Sequence, residues 1–273
     1  MAVQARRAAP NARKAPEDSA GPRPSGTDRN ARVHDGAMDL PAFGLVCVHE
    51  QPLPDGIARE ADWMADAAQR ERAVAHLWQG KTGWVVPRRS TALPGWAAVA
   101  ARHGSALQVR RSGGGLVPQG PGIWNLSLAW PAADATPADM HTIYAALCEA
   151  LTAAIARLGV AATPQPAQGS FCDGRWNLAV KGRKLVGTAQ AWRRFGARQV
   201  VLAHALIVVT ADPVALTASA NALEAELGQG TPYRADALTS LAREAGDIIA
   251  LEARTLEVLA EQFARVVPPR ATR

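Results

Sequence analysis

The sequence contains few features of membrane, secreted or metal-binding proteins. No apolar run approaches the ~20 residues that a helix needs to cross a bilayer, and the N-terminus lacks the short apolar stretch of a secretory signal. Its three cysteines form no CxxC pair and do not have the spacing of metal ligands. We therefore expect a cytoplasmic protein with no membrane association and no metal site.

Acidic residues are fewer than basic ones, 24 against 30, which gives a net charge of +6 and a pI near 9.8. Such a balance can indicate nucleic-acid binding. However, seven basic and four acidic residues precede Met38, so half of the excess charge lies in the first 37 residues. The remaining charge is too small to predict a nucleic-acid groove, although it could favour an acidic protein partner.

Large apolar side chains are nearly absent from residues 1–37, which are rich in Ala, Arg, Pro and Gly. Because such a segment cannot bury enough surface to offset its ordering entropy, we predict a disordered basic tail. The rest of the chain is long enough for a sizeable core. We predict a catalytic domain at residues 38–210 and a helical extension at residues 211–273 that packs against it.

The spacing of apolar residues predicts strands that alternate with helices. Residues 57–78 have near-helical apolar steps and predict an amphipathic helix, and residues 137–158 predict another that stops at Gly159. Strands are predicted at residues 83–86, 106–110, 123–130, 176–180, 184–192 and 200–210. Because these strands come in successive hairpins with helices between groups, we expect an α+β fold with a mixed, mostly antiparallel sheet flanked by helices.

The first candidate functional segment is the turn Arg110-Arg111-Ser112-Gly113-Gly114-Gly115. Its glycines have no Cβ, so a ligand can approach the main chain and receive hydrogen bonds from its N–H groups. The adjacent arginines could hold a phosphate or a carboxylate. A flexible hairpin turn with solvated arginines is an equally good interpretation. The segment is not a P-loop, because no Gly-Lys-Ser/Thr follows.

The second candidate is the cysteine loop, which we define as Gly169–Gly174 (GSFCDG). Cys172 lies there among glycine and polar residues, a composition that can expose a thiol, and a cysteine nucleophile needs access and a nearby positive charge. A lone loop cysteine is more often inert. Cys47 and Cys148 lie in apolar segments and are expected to be small core residues.

The third candidate is the segment Lys181–Gln190 (KGRKLVGTAQ). If Lys184 begins a strand after a tight turn at residues 181–183, its side chain shares a face with Val186 and Thr188. A lysine directed inward from an apolar strand is costly unless it is paired. The alternative is an exposed turn lysine, which is the interpretation we give to Lys181.

Together, these segments resemble the family of lipoate–protein ligases, octanoyltransferases and lipoyl amidotransferases. RRSGGGLVPQGPGIWNLSL resembles that family's Arg-Arg-x-Ser-Gly-Gly-Gly block, and GRWNLAVKGRKLVGTAQ resembles its Gly-(Lys/Arg)-Lys-(aliphatic)-x-Gly-x-Ala-Gln element. LAHALI matches a third, His-Gly-containing strand at His204 only. The resemblance covers residues 57–210 and implies the biotin/lipoate protein ligase fold, which is similar to that of class II synthetases.

The resemblance also implies roles for particular residues. A cysteine shortly before the lysine element is typical of the family's transferases, so Cys172 is the expected nucleophile and Lys184 the expected catalytic lysine. By the same comparison, Lys184 would stabilise the thiolate and polarise the acyl carbonyl. The expected substrate-binding residues are Arg110, Arg111, Ser112, Gly113, Gly114, Gly115, Gly187, Ala189 and His204.

Four positions depart from the family pattern. Pro118-Gln119 stands where many relatives have His-Asp, and Ala205 replaces the glycine of the His-Gly element. Asn177 replaces a carboxylate in the strand before the lysine. These differences leave room for an unusual substrate or for a loss of activity.

The resemblance leaves three functions open. A cysteine transferase would pass an octanoyl or lipoyl group from one carrier protein to another without a cofactor. A lipoate–protein ligase would need ATP and Mg²⁺, and the third alternative is a catalytically silent binder of lipoyl domains. The partners expected are lipoyl-domain proteins (glycine cleavage H protein or dehydrogenase E2 subunits) and acyl carrier protein. The short region after Thr210 leaves little room for a ligase accessory domain, which favours the transferase.

Overall fold

The computed structural model describes residues 40–44, 46–110, 114–132, 140–230, 233–246 and 248–264. The strands are β1 (Val46–Val48), β2 (Val74–Trp78), β3 (Gly83–Pro87), β4 (Leu107–Arg110), β5 (Val117–Gln119), β6 (Ile123–Pro131), β7 (Thr163–Pro164), β8 (Leu178–Val180), β9 (Arg183–Phe195) and β10 (Arg198–Val208). The helices are α1 (Gly56–Arg70), α2 (Trp96–His103), α3 (Met140–Ala156), α4 (Pro213–Glu226), α5 (Leu241–Glu244) and α6 (Leu251–Ala264).

The strands form two sheets. The main sheet has seven strands in the order β1-β2-β6-β10-β9-β8-β7, and the small sheet has three in the order β4-β3-β5. Only the pairs β1–β2 and β3–β4 are parallel among these described strands. The predicted mixed, mostly antiparallel sheet flanked by helices is therefore confirmed.

Helices cover both faces of the main sheet. Helices α3 and α6 contribute Leu147, Leu151 and Val258 to the largest core cluster on one face. On the other face, α1 packs Trp63 and Met64 against the sheet. Consequently β6, an interior strand of the sheet between β2 and β10, is buried from residue 123 to residue 130 instead of alternating between core and solvent.

The predicted helix over residues 57–78 is wrong in its second half. Helix α1 ends at Arg70, and Glu71 adopts the left-handed conformation with φ 52°, donating its N–H to Ala67. Strand β2 then begins at Val74, and four of its five residues are buried. The segment is as apolar as the helix before it, which is why its spacing resembled a continued helix. As a strand it has no polar face, because helices cover both faces of the sheet.

The hairpin between β8 and β9 has the tight turn that the sequence predicts. Val180 pairs with Arg183, so the loop contains only Lys181 and Gly182. Both have positive φ, 51° and 78°, as a type I′ turn requires. The turn fixes where β9 begins and therefore the depth at which Lys184 enters the core. Strand β8 is shorter than predicted and starts at Leu178.

The division of the chain at residues 37 and 210 stays a prediction, and the segment 1–37 lies outside the described residues. The compact unit that begins at Ala37 continues through the helices after β10. All three of these helices contribute to its clusters of buried residues, α5 and α6 under the main sheet and α4 beside the small one. Within the described ranges, no helix combines the length and apolar character that crossing a membrane requires.

Candidate active site

A cavity of about 680 Å³ lies where β9 and β10 of the main sheet meet the small sheet and the cysteine loop. It is lined by all predicted site residues that the structure describes: Arg110, Gly114, Gly115, Cys172, Lys184, Gly187, Ala189 and His204. The predicted residues Arg111, Ser112 and Gly113 lie outside the described residues. Segments far apart in the sequence thus meet at one site.

The backbone of Cys172 is held in an uncommon conformation. Its φ is 52°, in the left-handed region that few residues other than glycine adopt. Two side chains donate to its carbonyl oxygen: Asn177 Nδ2 at 2.8 Å and Lys184 Nζ at 3.0 Å. These bonds turn the cysteine loop so that Cys172 lines the cavity.

Lys184 is buried, with 7% of its surface exposed, so the alternative of an exposed turn lysine is excluded. Its ammonium donates to the carbonyl oxygens of Phe171 and Cys172. Burial lowers the pKa of Lys184 to about 8; the charges of Cys172 and Asp173 oppose this shift, and that of Arg110 adds to it. A group with such a pKa can exist in either protonation state near neutral pH.

The backbone of Lys184 is fixed by the region after β10. Its carbonyl oxygen accepts a hydrogen bond from Thr239 N at 2.9 Å, and Leu238 forms a bridge beside it. On the opposite side, Gly187 gives the lysine its space, because a Cβ there would lie 3.1 Å from both Lys184 Cε and Nζ. Gly187 is therefore a packing requirement of the buried amine.

Gly114 and Gly115 of the glycine turn lie directly against the sulfur of Cys172. The backbone N–H of Gly115 donates to Cys172 Sγ. A Cβ would lie 3.2 Å from this sulfur at Gly114 and 3.1 Å at Gly115, so neither position has room for a side chain. The buried Arg110 donates to Gly115 O at 2.7 Å and braces the turn.

A buried polar network lines the cavity below β10. Glu60, on α1, accepts hydrogen bonds at 2.9 Å from both Ser127 Oγ and His204 Nδ1. Trp78 Nε1 donates to Ser127 Oγ at 3.0 Å. The sequence reasoning missed Glu60, although an acid within the apolar stripe of α1, between Ile57 and Met64, was a signal for it.

Tyr233 is a second residue that sequence reasoning missed. The ring of Tyr233 contacts that of Phe171 edge-on, with centroids 5.0 Å apart, and the Tyr233 hydroxyl donates to Glu224 on α4 at 2.6 Å. The next residue, Arg234, donates its backbone N–H to Gly169 O at 2.8 Å. The region after β10 therefore supports the cysteine loop from behind, a long-range contact that no local pattern predicts.

This arrangement suits acyl chemistry. A thiol that receives an N–H hydrogen bond, close to a buried amine, can act as a nucleophile, and the cavity, whose lining is mainly apolar, can hold an apolar chain. Among the described residues, no group of three or more His, Cys, Asp or Glu side chains could hold a metal ion.

Sequence comparisons identify related proteins. Residues 58–264 match the family described as the lipoyl protein ligase A/B catalytic domain. An uncharacterised protein of Cupriavidus necator is 41% identical over 240 residues, which cover 80% of this chain and 93% of that protein. The octanoyl-[GcvH]:protein N-octanoyltransferase of Kyrpidia tusciae is 34% identical over 212 residues, which cover 74% of this chain and 73% of that protein.

Solved structures share the fold at low sequence identity. Lipoate-protein ligase A bound with ATP gives a TM-score of 0.59 at 17% identity and covers 81% of this chain and 84% of its own. A bi-partite lipoate protein ligase of Thermoplasma acidophilum, described together with its E2 lipoyl domain, gives 0.58 at 16% identity, with coverages of 82% and 83%. The mixed sheet and its flanking helices thus have the fold of lipoate protein ligases.

Proposed function

The chain belongs to the lipoyl protein ligase A/B catalytic domain family, and we propose that it transfers an octanoyl or lipoyl group from a carrier protein to a lysine of a lipoyl domain. In this reaction the acyl group is held between the two carriers as a thioester on Cys172. The proposed role is that of an acyltransferase in protein lipoylation.

One observation carries the proposal. The sulfur of Cys172 receives the Gly115 N–H inside a cavity that also contains the amine of Lys184. The hydrogen bond fixes the position of the sulfur, and a positioned, accessible cysteine beside an amine can act as a nucleophile. A ligase that activates its acid with ATP needs no nucleophilic sulfur here. The relative from Kyrpidia tusciae, which is named as an octanoyltransferase, supports the same choice.

In the first half-reaction, Cys172 attacks the acyl carbonyl of the donor. An S–C bond forms, and the thiol or amine of the donor leaves with a proton. Lys184 uses two N–H groups of its ammonium on the carbonyls of Phe171 and Cys172. An ammonium has three, and the third is the donor that we propose for the developing oxyanion.

In the second half-reaction, the amine of the acceptor lysine attacks the thioester. An N–C bond forms and the S–C bond breaks, which returns Cys172 to its starting state. No nucleotide or metal ion is needed, because the acyl group is already activated as the thioester.

Names of related proteins support the partner class. GcvH appears in the name of the Kyrpidia tusciae enzyme, and an E2 lipoyl domain is described with the Thermoplasma acidophilum ligase. We therefore propose lipoyl-domain proteins, namely glycine cleavage H protein or dehydrogenase E2 subunits, as acceptors. The donor is either such a protein or an acyl carrier protein.

The test is a thioester trap. The full chain is incubated with octanoyl-carrier protein or octanoyl-H protein, and its intact mass is measured before and after hydroxylamine treatment. We expect an octanoyl adduct that hydroxylamine removes and that Cys172→Ala does not form. Cys47→Ala, a half-buried cysteine on β1, is the matched control and should retain the adduct.

Three other results would overturn the proposal. Full acyl transfer by Cys172→Ala would exclude the thioester. Lipoate-dependent pyrophosphate exchange that survives this substitution would identify an ATP-dependent ligase, with Arg110 and the glycine turn at the adenylate. Binding of carriers with neither activity would identify a silent binding protein.

A further inference from the structure

The second half-reaction presents an electrostatic problem at Cys172. The acceptor lysine arrives as an ammonium, since its ordinary pKa is near 10.4. The described part of the cavity lining contains three cationic side chains, Arg89, Arg110 and Lys184. These positive charges repel another cation that enters the same cavity. We therefore expect an acidic side chain in the lining that offsets this repulsion.

Two acids belong to the same described lining, Glu60 and Asp173. Glu60 is buried and already accepts hydrogen bonds from Ser127 and His204. Because Glu60 is buried and shared between two donors, an exposed carboxylate is the better partner for an incoming lysine.

Asp173 has the position that this role demands. It follows Cys172 directly, lines the cavity and is exposed to solvent. Its charge acts on the amine of Lys184, which places the carboxylate within electrostatic reach of the reacting atoms. Within the ranges that the structure describes, its side chain makes no hydrogen bond or ion pair.

We infer that Asp173 binds the ammonium of the acceptor lysine and accepts the proton that this nitrogen loses before it attacks the Cys172 thioester. The inference rests on the proposed function. The first proton passes through the exposed carboxylate to solvent. The nitrogen lone pair then forms the N–C bond, the C–S bond breaks, and the second proton goes from nitrogen to the Cys172 sulfur.

This role confines the effect of Asp173 to one half of the reaction and to one class of nucleophile. Formation of the thioester involves no acceptor, so at pH 7, below the Lys184 pKa of about 8, it should not require Asp173. Hydroxylamine is uncharged at neutral pH, so its attack on the thioester should not require the carboxylate either. Only a cationic amine should depend on Asp173.

The experiment uses the full-length octanoyl-enzyme of wild type and of Asp173→Asn. Each is mixed in single turnovers with apo H protein or with hydroxylamine, and loss of the thioester is followed by intact mass. We expect Asp173→Asn to form the thioester within twofold of the wild-type rate and to react with hydroxylamine within twofold. Its transfer to apo H protein should fall at least tenfold.

Two further variants define the comparison. Asp173→Glu should recover most of the transfer rate, and Asp62→Asn, an exposed acid on α1 outside the cavity lining, should behave as wild type. The inference is overturned if Asp173→Asn transfers to apo H protein at the wild-type rate, or if it loses reactivity toward both nucleophiles equally. If wild type forms no thioester at all, the proposed function itself is wrong.

Discussion

Lys184 Nζ lies 3.0 Å from the carbonyl oxygen of Cys172, so the buried ammonium binds the main chain of this residue. The second hydrogen bond of the amine, to Phe171 O, is also to the main chain. Lys184 therefore holds the cysteine loop in place while its charge acts on the sulfur through space. A lysine that serves both purposes has to be buried, and burial of a charge reduces stability.

We expect Lys184→Met to abolish acyl transfer and to change how stability depends on pH. The unfolded lysine keeps its proton up to about pH 10.5, whereas the folded one loses it near 8. Between these values the unfolded state binds more protons, so the free energy of unfolding of wild type rises with pH. Relative to wild type, the stability of the Met variant should fall by roughly 2–3 kcal/mol between pH 7 and pH 10.

Urea unfolding at several pH values measures this difference. Lys181→Met is the matched control, because Lys181 is an exposed lysine three residues away in the turn before β9. Its stability relative to wild type should stay constant over the same pH range. A constant difference for Lys184→Met as well would mean that the folded lysine has an ordinary pKa.

Asn177 stands where the family resemblance leads us to expect a carboxylate. Asn177 Nδ2 and Lys184 Nζ donate to the same oxygen of Cys172, so an acid at position 177 would be a neighbour of the amine. Asn177→Asp should raise the pKa of Lys184. If the ammonium polarises the acyl carbonyl, thioester formation by wild type should decline above about pH 8, where Lys184 loses its proton. In Asn177→Asp this decline should move to higher pH.

The measurement is the pH dependence of thioester formation in single turnovers. Asn177→Ala removes the same hydrogen bond without adding a charge, so it should lower the rate while leaving the decline near its wild-type pH. Identical pH profiles for Asn177→Asp and wild type would show that position 177 does not act on the lysine.

Local sequence patterns predicted the parts of the site that depend on neighbouring residues. The turn at Lys181-Gly182 and the glycine at position 114 follow from positive φ values that only a few residue types adopt. The family resemblance is confirmed, because its two blocks lie within the matched residues 58–264. The expected roles of Cys172 and Lys184 stay predictions.

Other features depend on contacts that are distant in the sequence. Strand β2 was predicted as helix, because only the helices on both faces of the sheet decide that its apolar run is buried as a strand. Tyr233 contacts Phe171 across more than sixty residues, and nothing in its surroundings indicates the cysteine loop. Glu60, on α1, could be interpreted as a cavity residue only from its contacts with Ser127 on β6 and His204 on β10.

The contact between Gly115 and Cys172 gives a steric prediction. Gly115→Ala should place a methyl group 3.1 Å from Cys172 Sγ and displace the sulfur from the N–H that it accepts. Gly115 does not have a positive φ, so the substitution adds no backbone strain and its effect is purely steric. Misplacement of a reacting atom by about 1 Å can cost on the order of a hundredfold in rate, and we expect thioester formation to slow by about tenfold to a hundredfold.

Gly174→Ala is the matched control, because it lines the same cavity and a Cβ there meets nothing within 4 Å. Its rate of thioester formation should stay within twofold of wild type, and thermal unfolding should show that both variants are folded. Equal rates for Gly115→Ala and Gly174→Ala would contradict the contact between the glycine turn and the sulfur. Gly115→Ala could form the thioester slowly and yet transfer the acyl group from a preformed thioester at the wild-type rate. That result would show that the glycine is needed for the attack by Cys172, because the acceptor meets the acyl group only after the sulfur has been positioned.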